Sequence, residues 1–308
     1  MALRIAFLGT AGFAVPSLRA CLDAGCDVAA VVTQPDRPGD RGRPAPRPVG
    51  DLARERGLRL LQPQRVREPE ATAEVLALGV DALVVAAYGQ ILPAALLAGP
   101  RLGGVNVHAS LLPRWRGASP VAAAILAGDA ETGVSIMRME AGLDTGPVYV
   151  TRGTPIGATE TTPELTHRLA VLGAELLVEV LGALELGGLE PQPQDDAAAT
   201  LAPRLRREDG RVDWSQTGAA EVDRRVRALD PWPGVVAPLG GAEVRLLAGR
   251  PLSRGDDAGP PGTVLRTDRQ VAEVATRDGV YAVHRVQPPG RRPMDAAAYL
   301  RGRRAPAT

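Results

Sequence analysis

Asn106 and His108 stand two residues apart, so on a strand both side chains leave the same face. An imidazole can move a proton, and an amide N–H can steady charge that builds on a carbonyl oxygen. Downstream, Gly142-Leu143-Asp144-Thr145-Gly146 places a carboxylate in a glycine-flanked turn. Amide, imidazole and carboxylate together suit acyl transfer at a carbonyl carbon, with Asp144 orienting His108 and Asn106 donating to the developing oxyanion. The same residue types also do plain structural work, since Asn and His cap strand ends and Asp between glycines closes loops.

The elements that must position this set read as an alternation of strands and helices. Residues 3–8, 28–32, 81–87 and 104–107 are short apolar runs of the buried-strand kind. Helical segments are expected at 14–24, 50–56, 69–77 and 118–127, which argues for a mostly parallel α/β sheet. Asn106 and His108 then emerge at the C-terminal end of a parallel strand, where open α/β sheets hold their ligands. Thr161 and Glu164 match a capping box ahead of a helix over 161–187, with Leu165, Leu169, Leu172, Leu176, Val180 and Leu184 at helical spacing. His167 falls on the polar side of that stripe.

Beyond it, Pro191, Pro193 and a Gln-Asp-Ala run predict an extended linker over 189–208. A helix at 218–228 and strands at 235–239, 243–247, 262–266, 271–276 and 279–286 follow, with Gly240-Gly241 as a hairpin turn. Five short strands predict a small barrel. The expected organisation is α/β: a catalytic domain over 1–188 with a mostly parallel open sheet, a linker over 189–208, and a C-terminal β-barrel over 209–308.

Other chemistries fit poorly. Gly9-Thr10-Ala11-Gly12-Phe13-Ala14 has two glycines where a dinucleotide fingerprint needs three. Ser110 lacks the Gly-x-Ser-x-Gly elbow of a serine nucleophile. His108, His167 and His284 show no zinc spacing, so no metal is expected. All 36 basic residues are arginine, which removes Schiff-base and phosphate-loop lysines.

Hydrophobic residues make up 45% of the 308, enough for real cores, while aromatics are only 3%, so Leu, Val and Ala must build them. Residues 1–203 carry 17 arginines against 22 acidic side chains, a balance of −5, whereas residues 204–308 carry 19 against 13, a balance of +6. A basic C-terminal module suits a polyanionic partner. Cys21 and Cys26 are read as buried structural thiols. The first apolar run is interrupted by Arg4 and Gly9, and no stretch reaches membrane-spanning length; a soluble cytoplasmic protein is the expectation.

Two loops stand out. Tyr88-Gly89-Gln90-Ile91-Leu92-Pro93 at a strand end offers apolar atoms and main-chain donors, a surface for a flat heterocycle. Residues 34–48 hold Arg37, Arg41, Arg43 and Arg47 against Asp36 and Asp40, in a Pro- and Gly-rich context that forbids a regular element. That loop can contact phosphates or simply be solvated. Arg116, beside Gly117, can bind an anion or tie its own loop down.

These motifs, in this order, resemble the methionyl-tRNA formyltransferase family over essentially the full chain. The matching stretches are Thr33-Gln34-Pro35-Asp36-Arg37-Pro38, Ala87 through Pro93, Asn106-Val107-His108, Ser110-Leu111-Leu112-Pro113-Arg114-Trp115-Arg116-Gly117, Gly142-Leu143-Asp144-Thr145-Gly146, Arg211-Val212-Asp213-Trp214 and Asp230-Pro231-Trp232-Pro233. The resemblance implies a Rossmann-like formyltransferase domain and a C-terminal barrel of oligonucleotide-binding type that helps hold tRNA. It implies formyl transfer from 10-formyltetrahydrofolate, released as tetrahydrofolate, to the amino group of initiator methionyl-tRNA, by a single-chain enzyme.

The family's functional pattern falls on Asn106, His108 and Asp144 as the catalytic trio. Ala86, Ala87, Tyr88, Gly89, Gln90, Ile91 and Leu92, with Ser110, Leu111, Leu112 and Pro113, fall on the folate pocket. Arg37, Arg41, Arg43 and Arg47 fall on the tRNA-contacting loop, with Arg41 at its key basic position. One departure concerns Gly9-Thr10-Ala11-Gly12-Phe13, where the family usually has Gly-Thr-Pro, an acidic residue and Phe. A sugar-nucleotide formyltransferase is the nearest rival, glycinamide ribonucleotide transformylase a remoter one, and a non-enzymatic nucleic-acid-binding module would leave the trio without a job.

Overall fold

The computed structural model describes residues 2–36, 47–252 and 259–303. In chain order the first elements are β1 (Arg4–Gly9), α1 (Ala14–Asp23), β2 (Asp27–Val32), α2 (Pro48–Glu55), β3 (Leu60–Leu61), α3 (Pro69–Leu76), β4 (Ala82–Ala86), α4 (Ala94–Ala98) and β5 (Gly104–His108). There follow β6 (Arg116–Gly117), α5 (Pro120–Ala127), β7 (Glu131–Arg138), β8 (Val148–Pro155), α6 (Thr162–Glu185) and β9 (Leu201–Ala202). The C-terminal elements are α7 (Ala219–Ala228), β10 (Val235–Leu239), β11 (Ala242–Leu252), β12 (Val264–Thr267), β13 (Ala272–Thr276), β14 (Gly279–Gln287), β15 (Met294–Asp295) and α8 (Ala296–Arg301). The chain divides into two compact units, one drawn from residues 1–120, 131–155 and 166–202, the other from 121–130, 156–165 and 203–308.

The first unit is built on a seven-stranded sheet in the order β3-β2-β1-β4-β5-β7-β8. β3 through β5 are parallel; β7 and β8 add antiparallel pairs at one side. Ile5-Ala6-Phe7-Leu8 and Ala82–Ala86 are buried throughout, the continuous apolar run of a strand covered on both faces. On one face Ala6, Leu8, Ala30, Val32, Leu83 and Val85 pack with Val75 of α3 and Leu96 of α4. Asn106 is level with Val85 and therefore leaves β5 on this same face. Toward the other neighbour it pairs with Met137, and His108 pairs with Ser135.

The sequence reading missed β7 and β8. β7 opens on Glu131 and Thr132 and closes on Arg138, and β8 contains Arg152, Gly153 and Pro155. An edge strand needs no continuous apolar run, and β8 accordingly alternates between half-buried and exposed positions. Residues 189–202 are extended as expected, but they are anchored. Gln192 bridges Val148, a single 3-10 turn spans Asp196–Ala198, and β9 pairs in parallel with β6. At the start of α6 the Glu164 carboxylate accepts from both the N–H and the hydroxyl of Thr161, at 2.9 and 2.7 Å.

The second unit is an antiparallel sheet of small-barrel type, order β10-β11-β14-β13-β12, with β15 on β14. Gly240 and Gly241 form the two-residue turn between β10 and β11. Register shifts at Leu246/Ala248 and Ala248/Gly249 bend the long strand β11. α7 covers β11 and β14 and buries Val222 and Val226, while Val235, Val244, Leu246, Val274 and Val283 fill the interior. Arg266, Arg269, Arg285, Arg291 and Arg292 are exposed, consistent with the excess of positive charge. No helix among the described residues is long and apolar enough to cross a membrane.

Candidate active site

The tips of β1, β2 and β4 are tied together by polar groups where the strand order reverses, the place at which open α/β sheets form a crevice. The Thr10 hydroxyl and the Gln34 amide both donate to the Tyr88 carbonyl, at 3.0 and 2.9 Å, and the Gln34 N–H donates to the Thr10 hydroxyl at 3.1 Å. The chain leaves β4 through Ala87, whose φ of +43° is uncommon for a residue with a side chain. This turn exposes Ala87 and Gly89 and leaves Ile91 81% exposed, but it sends Tyr88 and Leu92 into the core beneath.

Within residues 86–92, then, Tyr88 offers the crevice main chain only. Burial pushes its phenol up to about 12, and the hydroxyl has no hydrogen-bond partner among the described residues. Gln90 is occupied with holding the loop, accepting from the Val66 N–H at 2.7 Å and donating to the Gln64 carbonyl at 3.2 Å. Ala86 is buried at the end of β4.

β5 ends in the polar pair. The Asn106 side chain is 8% exposed, and none of the described residues donates to or accepts from its amide. His108 Nε2 lies 3.0 Å from the Trp115 carbonyl, which assigns the N–H to that nitrogen and leaves Nδ1 facing Asp144 Oδ2 at 3.7 Å. That distance is too long for a direct hydrogen bond and within reach of an ion pair when the imidazole carries a proton. The two side chains are 7% and 19% exposed. Asp144 stands at φ +53°, a left-handed conformation that Asp tolerates, and Oδ2 also accepts the Gly117 N–H at 2.9 Å.

The loop after β5 builds the far wall. The Ser110 hydroxyl is buried and donates to the Arg114 carbonyl at 2.6 Å, which commits it to structure. Ser135 links the Ser110 carbonyl to the Leu112 N–H, at 2.7 and 3.0 Å, while Leu112 is buried and Leu111 and Pro113 are half-buried. The Leu112–Pro113 peptide is cis. Arg116 settles to the second of its two readings: it is buried and ties the loop down, donating to Gln194 Oε1 at 3.0 Å and to Asp196 Oδ1 at 2.7 Å. The Gln194 amide then donates to the carbonyls of Asp144 and Gly146, at 2.8 and 2.7 Å. Thr200 receives the Trp115 N–H on its hydroxyl and the Arg116 N–H on its carbonyl, both at 2.9 Å.

These holding groups escaped the sequence reading. Gln194, Asp196 and Thr200 lie in a stretch without periodicity, and the Trp115 carbonyl and Gly117 N–H are main chain. Only Gly117 left a signal. Its φ is +124°, and a Cβ there would stand 2.6 Å from the Ala202 carbonyl oxygen, so β6 and β9 meet as closely as they do because the residue is glycine.

Of the four loop arginines, Arg37, Arg41 and Arg43 lie outside the described residues. Arg47 is ion-paired with Asp36 at 3.0 Å, and Arg54 joins the same carboxylate at 3.1 Å. A hydrogen bond from Gln62, with Arg47 second, holds the Asp36 carboxyl below the usual carboxylate range. The Ala11-Gly12 departure is exposed, and α1 begins without a side-chain cap at Phe13. Among the described residues no cluster of His, Cys, Asp and Glu could hold a metal ion.

Residues 3–181 match the family described as formyl transferase, and residues 204–304 match the formyl transferase C-terminal domain. A methionyl-tRNA formyltransferase of Roseiflexus castenholzii is 48% identical over 304 residues, covering 98% of this chain and 96% of its own. That of Solibacter usitatus is 46% identical over 303 residues, again covering 98% and 96%. Among solved structures, the sugar 3N-formyltransferase WlaRD, crystallised with dTDP and 5-N-formyl-THF, superposes with a TM-score of 0.70 at 15% identity, covering 95% of this chain and 100% of that one. HypX from Aquifex aeolicus in complex with tetrahydrofolic acid gives a TM-score of 0.65 at 22% identity, over 97% of this chain and 47% of that one. Those structural likenesses bear on the fold alone; with both domain matches and near-half sequence identity across almost the whole length, the chain belongs to the methionyl-tRNA formyltransferase family.

Proposed function

We propose that this chain transfers the formyl group of 10-formyltetrahydrofolate to the α-amino group of initiator methionyl-tRNA, with Asn106, His108 and Asp144 as the catalytic set. The observation that carries the reading is the juxtaposition of a nearly buried Asn106 amide, without a partner among the described residues, with a His108 imidazole 3.7 Å from an anchored carboxylate. The donor set fits a folate: a carbonyl oxygen to receive the free amide, and main chain at Ala87 and Gly89 for the edge of a flat ring. Ala86–Leu92 and Ser110–Pro113 would line the folate side. The arginine-rich loop with Arg37, Arg41, Arg43 and Arg47, together with the basic domain over 209–308, would hold the tRNA. The catalytic domain is taken as 1–188 and the linker as 189–208. The setting is cytoplasmic and the working form a single chain.

When bound, the folate supplies a formyl carbon that accepts a nucleophile, and a nitrogen that leaves with a proton. Asn106 donates an N–H to the formyl oxygen and holds the carbonyl in place. His108, with Nε2–H committed to Trp115, offers Nδ1 as the site that holds or releases a proton beside that oxygen. Asp144, fixed by Gly117 and Gln194, balances a proton on Nδ1 and receives one from the attacking amine, through water. The amine must be neutral to attack, and a free α-amine titrates near pH ~8.

The test sets charged initiator tRNA beside an amino-sugar nucleotide as acceptor, with 10-formyltetrahydrofolate in both arms. Rapid formylation of the tRNA alone is expected; preference for the sugar nucleotide would transfer the chain to the rival activity. Near-normal single-turnover transfer by His108→Ala would remove that residue from the set.

A further inference from the structure

The two cysteines lie at the end of the sheet remote from the catalytic trio, and nothing in the proposed reaction uses them. α1 ends in a Schellman turn. The Cys26 N–H donates to the Cys21 carbonyl and the Gly25 N–H to the Leu22 carbonyl, both at 3.0 Å, with Gly25 at φ +80°. In that turn the third residue from the helix end and the second residue beyond it bring their side chains together, usually as an apolar pair. Here both positions are cysteine. Both thiols are free, Cys21 buried and Cys26 only half-buried, which corrects the expectation that both are sealed inside.

We infer that Cys21 and Cys26 form an oxidative modification site, closing a reversible intramolecular disulfide across the end of α1 in response to hydrogen peroxide. A disulfide requires Cα atoms within about 7 Å and converging Cβ bonds. The main-chain hydrogen bond at 3.0 Å joins the two residues directly, and the Schellman turn directs the side chains at these two positions toward each other, which serves the second condition. The roles divide by exposure and by proton affinity. The neighbouring Cys21 thiol holds the Cys26 thiol below its ordinary range, against burial and the Glu185 charge, whereas the neighbouring Cys26 and burial push Cys21 up. Cys26 is therefore the attacking thiolate and Cys21 the resolving thiol.

In the first step the Cys26 sulfur bonds to one peroxide oxygen, the O–O bond breaks, and hydroxide leaves and takes a proton, giving water and a sulfenic acid on Cys26. In the second the Cys21 sulfur attacks that sulfur, the S–O bond breaks, and water leaves with the Cys21 proton. Two thiols lose two electrons, and the peroxide becomes two waters. A thiol reductant reverses the change by exchange through a mixed disulfide.

The experiment treats the native full-length chain with hydrogen peroxide, then denatures and alkylates it and measures thiol titre and intact mass. Two thiols per chain before and none after, a mass lowered by two hydrogens, no covalent dimer, and full recovery with dithiothreitol are expected. Cys21→Ser should instead trap a sulfenic acid on Cys26 that reacts with dimedone, while Cys26→Ser should leave Cys21 unreactive until the chain is unfolded. Independent overoxidation of the two residues, intermolecular dimers in place of the internal bridge, or faster attack at Cys21 would overturn the assignment. The wild-type mass shift decides the matter by itself if either variant fails to fold.

Discussion

Replacing Asp144 by Asn separates charge from architecture at the proposed catalytic turn. Asn tolerates a left-handed backbone as readily as Asp, so the φ of +53° survives, and its amide oxygen can still accept the Gly117 N–H. What disappears is the negative charge 3.7 Å from His108 Nδ1. Two unit charges about 4 Å apart attract by about 4 kcal/mol at an effective dielectric constant of ~20. Water reaches Asp144 on its exposed side, and halving the figure leaves about 2 kcal/mol. The Gly117 N–H then meets a neutral rather than a charged acceptor, which costs about 1 kcal/mol of stability and leaves the rate argument untouched. The halved figure, about 2 kcal/mol felt when the imidazole carries its proton, corresponds to roughly thirtyfold slower transfer. Single-turnover formylation under saturating folate and tRNA reads that step directly, and a thermal melt checks that the turn persists. A normally folded Asp144→Asn enzyme within about threefold of the parent rate would refute the coupling between carboxylate and imidazole.

Gly117→Ala forces a Cβ against the Ala202 carbonyl at an unfavourable φ, and a loss of about 2–4 kcal/mol of stability is expected from denaturant unfolding, with transfer activity falling in parallel. Tyr88→Phe removes a buried hydroxyl that has no partner among the described residues, so the melting temperature should stay level or rise and activity should be kept; a clear drop in either would mean that the phenol has work in the crevice. Asp36 has a lowered carboxyl pKa, so its contribution is complete above the ordinary carboxylate range near about pH 4 and is lost as pH falls through the lower folded value. Asp36→Asn should therefore be less stable than the parent at neutral pH, with the gap closing only in acid, as followed by urea unfolding across pH.

The parallel core was readable because its residues obey one rule at a time. Ile5 to Leu8 and Ala82 to Ala86 are apolar without interruption, and such a run can only be a strand buried on both faces. The polar pair on β5 was readable for the same reason, since two residues of strand fix a common face. What the pattern hid was the apparatus that holds them. Gln194 meets the Asp144 turn across 50 positions and Arg116 meets Asp196 across 80, contacts that leave no periodic trace in a stretch rich in Pro, Gln and Asp. The imidazole is aimed by the carbonyl of Trp115, and a main-chain oxygen has no letter of its own. β8 escaped because a strand at the border of a sheet carries polar residues that blur the alternation, and β7, buried between β5 and β8, because Thr132, Gly133 and Ser135 interrupt its apolar run.

The Tyr88 carbonyl, shared by Thr10 and Gln34 at the meeting of three strand tips, bears on how this crevice can change over time. Main chain cannot be exchanged by a point substitution; it can only be shifted, and here the shift is opposed by donors from two other strands. An inhibitor that leans on this part of the wall would leave few routes to resistance, and most of them would run through Thr10 and Gln34, whose loss would loosen the floor on which the proposed folate would also stand.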